Sequence, residues 1–190
     1  MNQAEHILSI LKTYISPKRV NHSKRVSLEA KLLAAKYKLD QNVLELAGLV
    51  HDIAKNKTPD ELAQIGIDVT PYQNCWENYP SVWHALIAPE VVAVEFPNIN
   101  HDVCNIIQYH TTGAENMTKE AMVLFIADFI EPERDHPNVN HVRKVAEKSL
   151  EKAVALITKY SIEKLNLKSV KIHPFTTECW NYYCNYIIDR

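Results

Sequence analysis

The sequence predicts an all-α domain, a helical bundle, on three observations: glycine is scarce, apolar residues recur at three- and four-residue spacing, and helix-boundary residues fall between the runs. Only three glycines (Gly48, Gly66 and Gly113) occur in 190 residues, against an average usage of about 7%. That scarcity argues against a β-rich chain full of tight turns. One globular domain over residues 1–190 is expected for this length. With 46% hydrophobic and 23% charged residues, the chain has material for a sizeable core and lacks the signature of disorder.

Ile7, Leu8, Leu11 and Ile15 mark a first amphipathic helix, and Val26, Ala30, Leu33, Ala34 and Tyr37 mark a second. Val43, Leu46, Ala47, Val50 and Ile53 mark a third. Ser16-Pro17 separates the first from the second, and Asp40 caps the third. Thr58-Pro59-Asp60-Glu61 has the form of a cap followed by proline at the first helical position. The segment Val69 to Pro80 lacks helical periodicity and predicts a long loop or short irregular turns. Further helices are expected over about 81–95, 100–110, 118–130 and 139–160, with a last one over about 175–188 after His173-Pro174.

The formal charge is 21 Lys+Arg against 23 Asp+Glu, or −2. A nucleic-acid partner is therefore not expected, since phosphate-backbone binding draws on an excess of cations. A small anionic ligand stays open. Met1-Asn2-Gln3-Ala4-Glu5-His6 has no basic region leading into an apolar one, and no run approaches the ~18 apolar residues of a membrane span, so a cytoplasmic protein with no membrane partner is expected. Cys75, Cys104, Cys179 and Cys184 lack a CxxC pair and predict reduced, mostly buried thiols. Trp76, Tyr79, Trp180, Tyr182, Tyr183 and Tyr186 offer aromatic surface either for a homodimer or for the core.

Several polar residues do not belong on apolar helix faces. His51-Asp52 ends the run Leu46-Ala47-Gly48-Leu49-Val50, where an imidazole and a carboxylate cost several kcal/mol to bury unless paired or bound to a cation. Adjacent helical residues point about 100° apart, so partners must come from other helices. Candidates are His22, near the start of the second helix, His84 after Val82-Trp83, and His110 at the end of the run from Val103 to Tyr109. Asp128 sits inside Val123-Leu124-Phe125-Ile126-Ala127-Asp128-Phe129-Ile130; alone, it would read as a structural ion pair with Arg134. The mixture of imidazole and carboxylate suits a divalent transition metal such as iron, manganese or zinc, unlike an all-oxygen calcium cage. His22, His51, Asp52 and Asp128 are assigned to one ion. His84 and His110 are expected to contact bound substrate, with completion of a second metal site as the alternative. His101-Asp102 is a decoy, in which Asp102 opens a helix and His101 is exposed. His6, His136 and His141 fall in polar surroundings and are expected to be solvated.

Taken in order, these residues resemble the HD-domain metal-dependent phosphohydrolases, and more closely the YqeK-type symmetrical diadenosine tetraphosphate hydrolases of bacteria. The resemblance rests on Arg19-Val20-Asn21-His22-Ser23, His51-Asp52-Ile53-Ala54-Lys55, His84-Ala85 and Tyr109-His110-Thr111-Thr112-Gly113. It continues through Ala127-Asp128-Phe129-Ile130-Glu131-Pro132-Glu133-Arg134 and His173-Pro174 with Thr176 and Asn181-Tyr182. The core motifs span 19–134, with a nucleotide-contacting C-terminal segment at 173–182. The resemblance implies an HD fold and iron-dependent cleavage of diadenosine tetraphosphate into two ADP.

A metal can acidify a water and relieve charge on phosphoryl oxygens, while cations hold the polyphosphate. Lys55, one turn after His51-Asp52, and Arg19 and Arg134, each within about a turn of a proposed ligand, are assigned to these tasks. His51, Asp52, Lys55, His84 and His110 form the expected catalytic set. One nucleoside diphosphate half is expected in a pocket of Arg19, Lys55, Arg134 and His173-Pro174-Phe175-Thr176-Thr177-Glu178, where a helix N-terminus presents unpaired amides. Two other functions are weighed: an HD-type hydrolase of nucleoside monophosphates or deoxynucleoside triphosphates, and a nucleotide-binding module without turnover.

Overall fold

The structure, a computed structural model, describes residues 3–187. Residues 1–2 and 188–190 lie outside the described residues; the last helix, expected to run to about 188, ends at Tyr183 and gives way to a 3-10 turn over Cys184–Tyr186. In chain order the helices are α1 (Gln3–Tyr14), α2 (Pro17–Tyr37), α3 (Gln41–Val50), α4 (Pro59–Gln64), α5 (Gln73–Asn78) and α6 (Trp83–Glu95). They continue with α7 (Asp102–Ile107), α8 (Lys119–Ile130), α9 (Val139–Ala146), α10 (Leu150–Leu167) and α11 (Pro174–Tyr183). Among the described residues there is no strand, and no helix is long and apolar enough to cross a membrane. The fold is the all-α bundle that the sequence predicts.

Local chemistry explains the boundaries. Ser16 caps α2 by accepting from the Arg19 amide, with Pro17 in the first turn. Asp40 accepts from the amides of Asn42 and Val43 at 2.8 and 3.1 Å, as predicted. Thr58 and Glu61 form a reciprocal capping box on α4.

Three expectations are corrected. Residues 139–160 are two helices, because Ser149 adopts an extended backbone and caps α10 at the Lys152 amide, interrupting an otherwise continuous apolar pattern. The segment 69–80 is more ordered than a loop: Thr70–Tyr72 forms a 3-10 turn that leads into α5, where Trp76 packs edge-on against Trp83 at 5.0 Å. His136 is half-buried and not solvated, since its Nε2 bonds the Phe129 carbonyl at 3.0 Å and its ring sits 4.2 Å from that of Phe129.

Buried residues from α1 through α11 form one apolar cluster. Within it α3 packs against α2, α7 and α8, and α2 also packs against α8. Tyr183 joins this core, whereas Tyr182 and Tyr186 remain on the surface.

Gly48 decides how closely α2 and α3 approach. A Cβ there would lie 2.4 Å from Ser27 Cα and 2.7 Å from Ser27 N, both backbone atoms that cannot swing away. Gly48→Ala is therefore expected to destabilise the protein by about 1–3 kcal/mol through overpacking. Urea denaturation would measure it, and an unchanged midpoint would show that the two helices separate without penalty. The close contact matters because it brings His51 and Asp52, just past the end of α3, against His22 on α2.

Candidate metal centre

Asp52 is the centre of the site. It is 2% exposed, and four imidazoles converge on its carboxylate. Nε2 of His84 and His110 lie 3.1 and 3.5 Å from Oδ1, while Nε2 of His51 and His22 lie 3.4 and 3.8 Å from Oδ2. Asp128 enters from α8, its Oδ1 3.0 Å from His22 Nε2 and 4.0 Å from His51 Nε2. The structure thus brings together all six residues that the sequence singled out in apolar surroundings.

The backbone orients the rings. His51 Nδ1 lies 2.8 Å from the Gly48 carbonyl, and His110 Nδ1 lies 2.8 Å from the Ile107 carbonyl. A carbonyl only accepts, so Nδ1 carries the hydrogen in both rings and a neutral ring aims its Nε2 lone pair inward. His22 is held likewise by a side chain, with Nδ1 3.1 Å from Glu131 Oε1. Nε2 of His22, His51 and His110 is buried and makes no hydrogen bond of acceptable geometry. Lone pairs and carboxylate oxygens turned toward one another in a dry site repel unless a cation stands among them. The donor set therefore fits a divalent metal, with His22, His51 and Asp52 forming one ligand-capable group and Asp52, His84 and His110 another.

Three cations border the cluster. Arg19 Nη1 pairs with Asp52 Oδ2 at 2.8 Å, and Arg134 Nη2 pairs with Asp128 Oδ1 at 2.7 Å while its Nε donates to the Asp128 carbonyl. The ion pair that the sequence offered for Asp128 is thus present beside its place in the cluster. Lys55 Nζ lies 2.9 Å from His84 Nε2 and 3.9 Å from Asp52 Oδ1. A short turn with Lys55 N bonded to Asp52 O fixes its approach.

These contacts shift the titrations. Asp52 is buried, yet the close approach of the His51, His110 and His84 rings holds its carboxyl well below the usual range. Asp128 moves in the same direction, with His22, His51 and Arg134 overcoming burial. Burial lowers His51, but Asp52 and Asp128 more than offset it and leave that ring raised. Burial pushes Lys55 down and His110 down. His84 falls to about 4, chiefly through burial, with Lys55 adding to the effect.

A histidine held neutral in this way stabilises the fold fully above its ordinary value of 6.5 and loses that contribution as pH falls through about 4. The metal-free protein is expected to lose stability across that window, by about 3 kcal/mol from His84 alone at 1.36 kcal/mol per unit. Thermal melts at pH 7.5 and 4.5 would check this, and equal midpoints would contradict it.

The C-terminal segment joins the cluster through aromatic contacts. His173 caps α11, its Nδ1 accepting from the Phe175 amide at 3.2 Å, and packs on Tyr79 and Phe175 with centroids 4.7 and 4.9 Å apart. Phe175 meets Tyr109, the neighbour of His110, at 5.3 Å. Thr176 is buried, while Pro174, Thr177 and Glu178 face solvent. The decoy pair His101 and Asp102 is exposed, as expected.

Sequence reasoning missed two residues. Glu131, 2% exposed, braces His22 and accepts from Arg25 Nε at 2.6 Å. Each lies three residues after a proposed ligand, Arg25 after His22 and Glu131 after Asp128, so a search one helical turn beyond each ligand would have found them.

Comparison with known proteins agrees with this geometry. Residues 19–133 match the HD domain family. The chain is 36% identical over 186 residues to "Bis(5'-nucleosyl)-tetraphosphatase, symmetrical" of Staphylococcus aureus (strain NCTC 8325 / PS 47), covering 95% of this chain and 94% of that protein. The protein of the same description from Bacillus subtilis (strain 168) is 31% identical over 178 residues, covering 94% and 96%. A crystal structure of a predicted HD superfamily hydrolase involved in NAD metabolism from Clostridium acetobutylicum superposes with a TM-score of 0.86 at 29% identity, covering 98% of this chain and 99% of that one.

Proposed function

The chain belongs to the HD-domain family and, within it, to the symmetrical bis(5'-nucleosyl)-tetraphosphatases, and we propose on that premise that it hydrolyses diadenosine tetraphosphate at the central anhydride to give two ADP. The observation that carries the reading is the convergence of four imidazole nitrogens on the buried Asp52, with Asp128 against two of those rings and cations at the edge of the cluster. His22, His51, Asp52 and Asp128 would hold a divalent transition ion, which would supply neutralisation of phosphoryl charge and acidification of a water.

The chain's own groups do the rest. Arg19 and Arg134, half-exposed beside Asp52 and Asp128, have guanidinium donors left over to grip phosphate oxygens. Lys55 Nζ and His84 Nε2, already joined at 2.9 Å, present a donor to the oxygen released when the anhydride opens. His110, fixed by its Nδ1 bond, stands at the phosphate being attacked and donates to it through Nε2 when that nitrogen takes a proton. Burial of Asp52 and the four imidazoles keeps bulk water from that part of the site and strengthens the interactions made there.

Iron is the metal we assign, because the imidazole–carboxylate donor set admits it and the sequence motifs point to it. One ion is expected, since Lys55 already occupies His84 Nε2. We place the enzyme in the cytoplasm, acting on a soluble nucleotide. Metal analysis of anaerobically purified protein, together with chromatography of the products, tests the whole reading. One iron per chain and ADP as sole product are expected. Formation of AMP and ATP would overturn symmetrical cleavage. Turnover confined to nucleoside monophosphates or deoxynucleoside triphosphates would replace the substrate, and two ions per chain would assign Asp52, His84 and His110 to a second one.

A further inference from the structure

We infer that the cleft between α8 and α10 holds one nucleoside diphosphate half of the substrate, separately from residues 173–178. The inference rests on the proposed symmetrical cleavage. A cut at the centre of a symmetrical molecule leaves identical arms on both sides of the reacting phosphates, so the metal cluster needs a place for a nucleoside diphosphate on each flank.

The cations are already divided this way. Arg19 and Lys55 stand at Asp52, and Arg134 stands at Asp128. The cleft opens on the Asp128 flank, bordered by His110, Thr111, Asp128 and Arg134, and runs along α10 to Lys164 and Lys168. Its volume of about 590 Å³ falls within the range of roughly 300–1,000 Å³ typical of small-molecule sites. Its walls change character along their length. Asp128, His110 and the Arg134 guanidinium stand at one end, and Phe129, Ile157 and Tyr160 supply apolar and aromatic surface beyond them. Phosphate, then ribose and base, is a ligand graded in the same way.

Two details show that the walls are prepared for a ligand. Thr111 Oγ1, on the lining, is buried without a hydrogen-bond partner, and a phosphate or ribose oxygen would satisfy it. Phe129 is braced by His136, whose ring sits 4.2 Å away and whose Nε2 bonds the Phe129 carbonyl. The carboxylate of Glu163 on this lining lies 4.0 Å from Lys159, which leaves Lys164 and Lys168 to set the sign of the outer cleft. Residues 173–178 are not on this lining, and their link to the cluster is Phe175 on Tyr109. The two arms therefore meet different surroundings.

The test counts ADP on manganese-loaded protein by isothermal titration. The unaltered chain is expected to bind two ADP. Ser161→Trp, which fills the cleft, and Lys164→Glu, which reverses a charge on an exposed helix position, are each expected to lose one of the two. With either change KM for diadenosine tetraphosphate should rise about tenfold, and kcat should move less. One ADP on the unaltered chain, or two bound with unchanged affinity by both variants, would overturn the inference. Two ADP reduced to one by the variants, without hydrolysis of diadenosine tetraphosphate, would uphold the cleft as a nucleotide site and reject the activity instead.

Discussion

Asp52→Ala is expected to abolish turnover and strip the metal while leaving the helices intact. Asp52 belongs to both ligand-capable groups, one carboxylate oxygen facing His22 and His51 and the other facing His84 and His110, so no neighbour can replace it. The loss in kcat/KM should reach on the order of 10³-fold or more, which corresponds to about 4 kcal/mol of transition-state stabilisation. Folding should survive, because Asp52 lies in the turn after α3 and none of the helix caps described above depends on its side chain. Removing it also removes a desolvated charge, which offsets part of the lost pairing with Arg19. Asp52→Asn, which keeps the volume and removes the charge, separates the two effects: it too should lose metal. Full metal occupancy with normal turnover in either variant would exclude Asp52 as a ligand.

Why this residue was legible in the sequence, and others were not, follows from what burial does to residue choice. A His-Asp pair after Leu46-Ala47-Gly48-Leu49-Val50, and Asp128 within an unbroken apolar run, violate the pattern that otherwise defines their helices, and a violation is visible without coordinates. His84 and His110 stood out for the same reason. The helix count was nearly as legible, because caps such as Ser16, Asp40 and Thr58 act through neighbouring amides. Long-range geometry was not. The cleft draws Tyr160, Ser161, Lys164 and Lys168 from a helix face that reads as an ordinary solvated surface until α10 lies beside α8. The break at Ser149 was hidden because Val145, Ala146, Leu150, Ala153 and Val154 keep helical spacing straight across it.

Glu131 is the clearest case of a residue whose importance lies in another residue's orientation, and its replacement should have the second-largest effect. Its carboxylate holds His22 Nδ1 at 3.1 Å and Arg25 Nε at 2.6 Å, and also accepts from the Glu133 amide at 2.9 Å. Burial pushes this carboxyl up, but the Arg25 bond and the Glu133 amide override it and leave it at about 2, so Glu131 is ionised throughout the working range. An anion on Nδ1 fixes the tautomer that leaves Nε2 free for the metal and makes that nitrogen a better donor. Glu131→Ala removes both effects, and metal affinity should fall about 10- to 100-fold. Arg25 loses its buried partner as well and keeps only the exposed Glu133, so a drop in melting temperature alone would be ambiguous. Glu131→Gln resolves this: its amide oxygen still accepts from Nδ1–H, so two-bond proton–nitrogen correlation spectra should show the His22 tautomer retained. The loss of charge should then lower metal affinity by less than in the alanine variant. In Glu131→Ala the same spectra should show His22 released to a tautomeric mixture. Metal affinity equal in all three proteins, measured on folded samples, would reduce Glu131 to an anchor for Arg25 with no part in holding the metal.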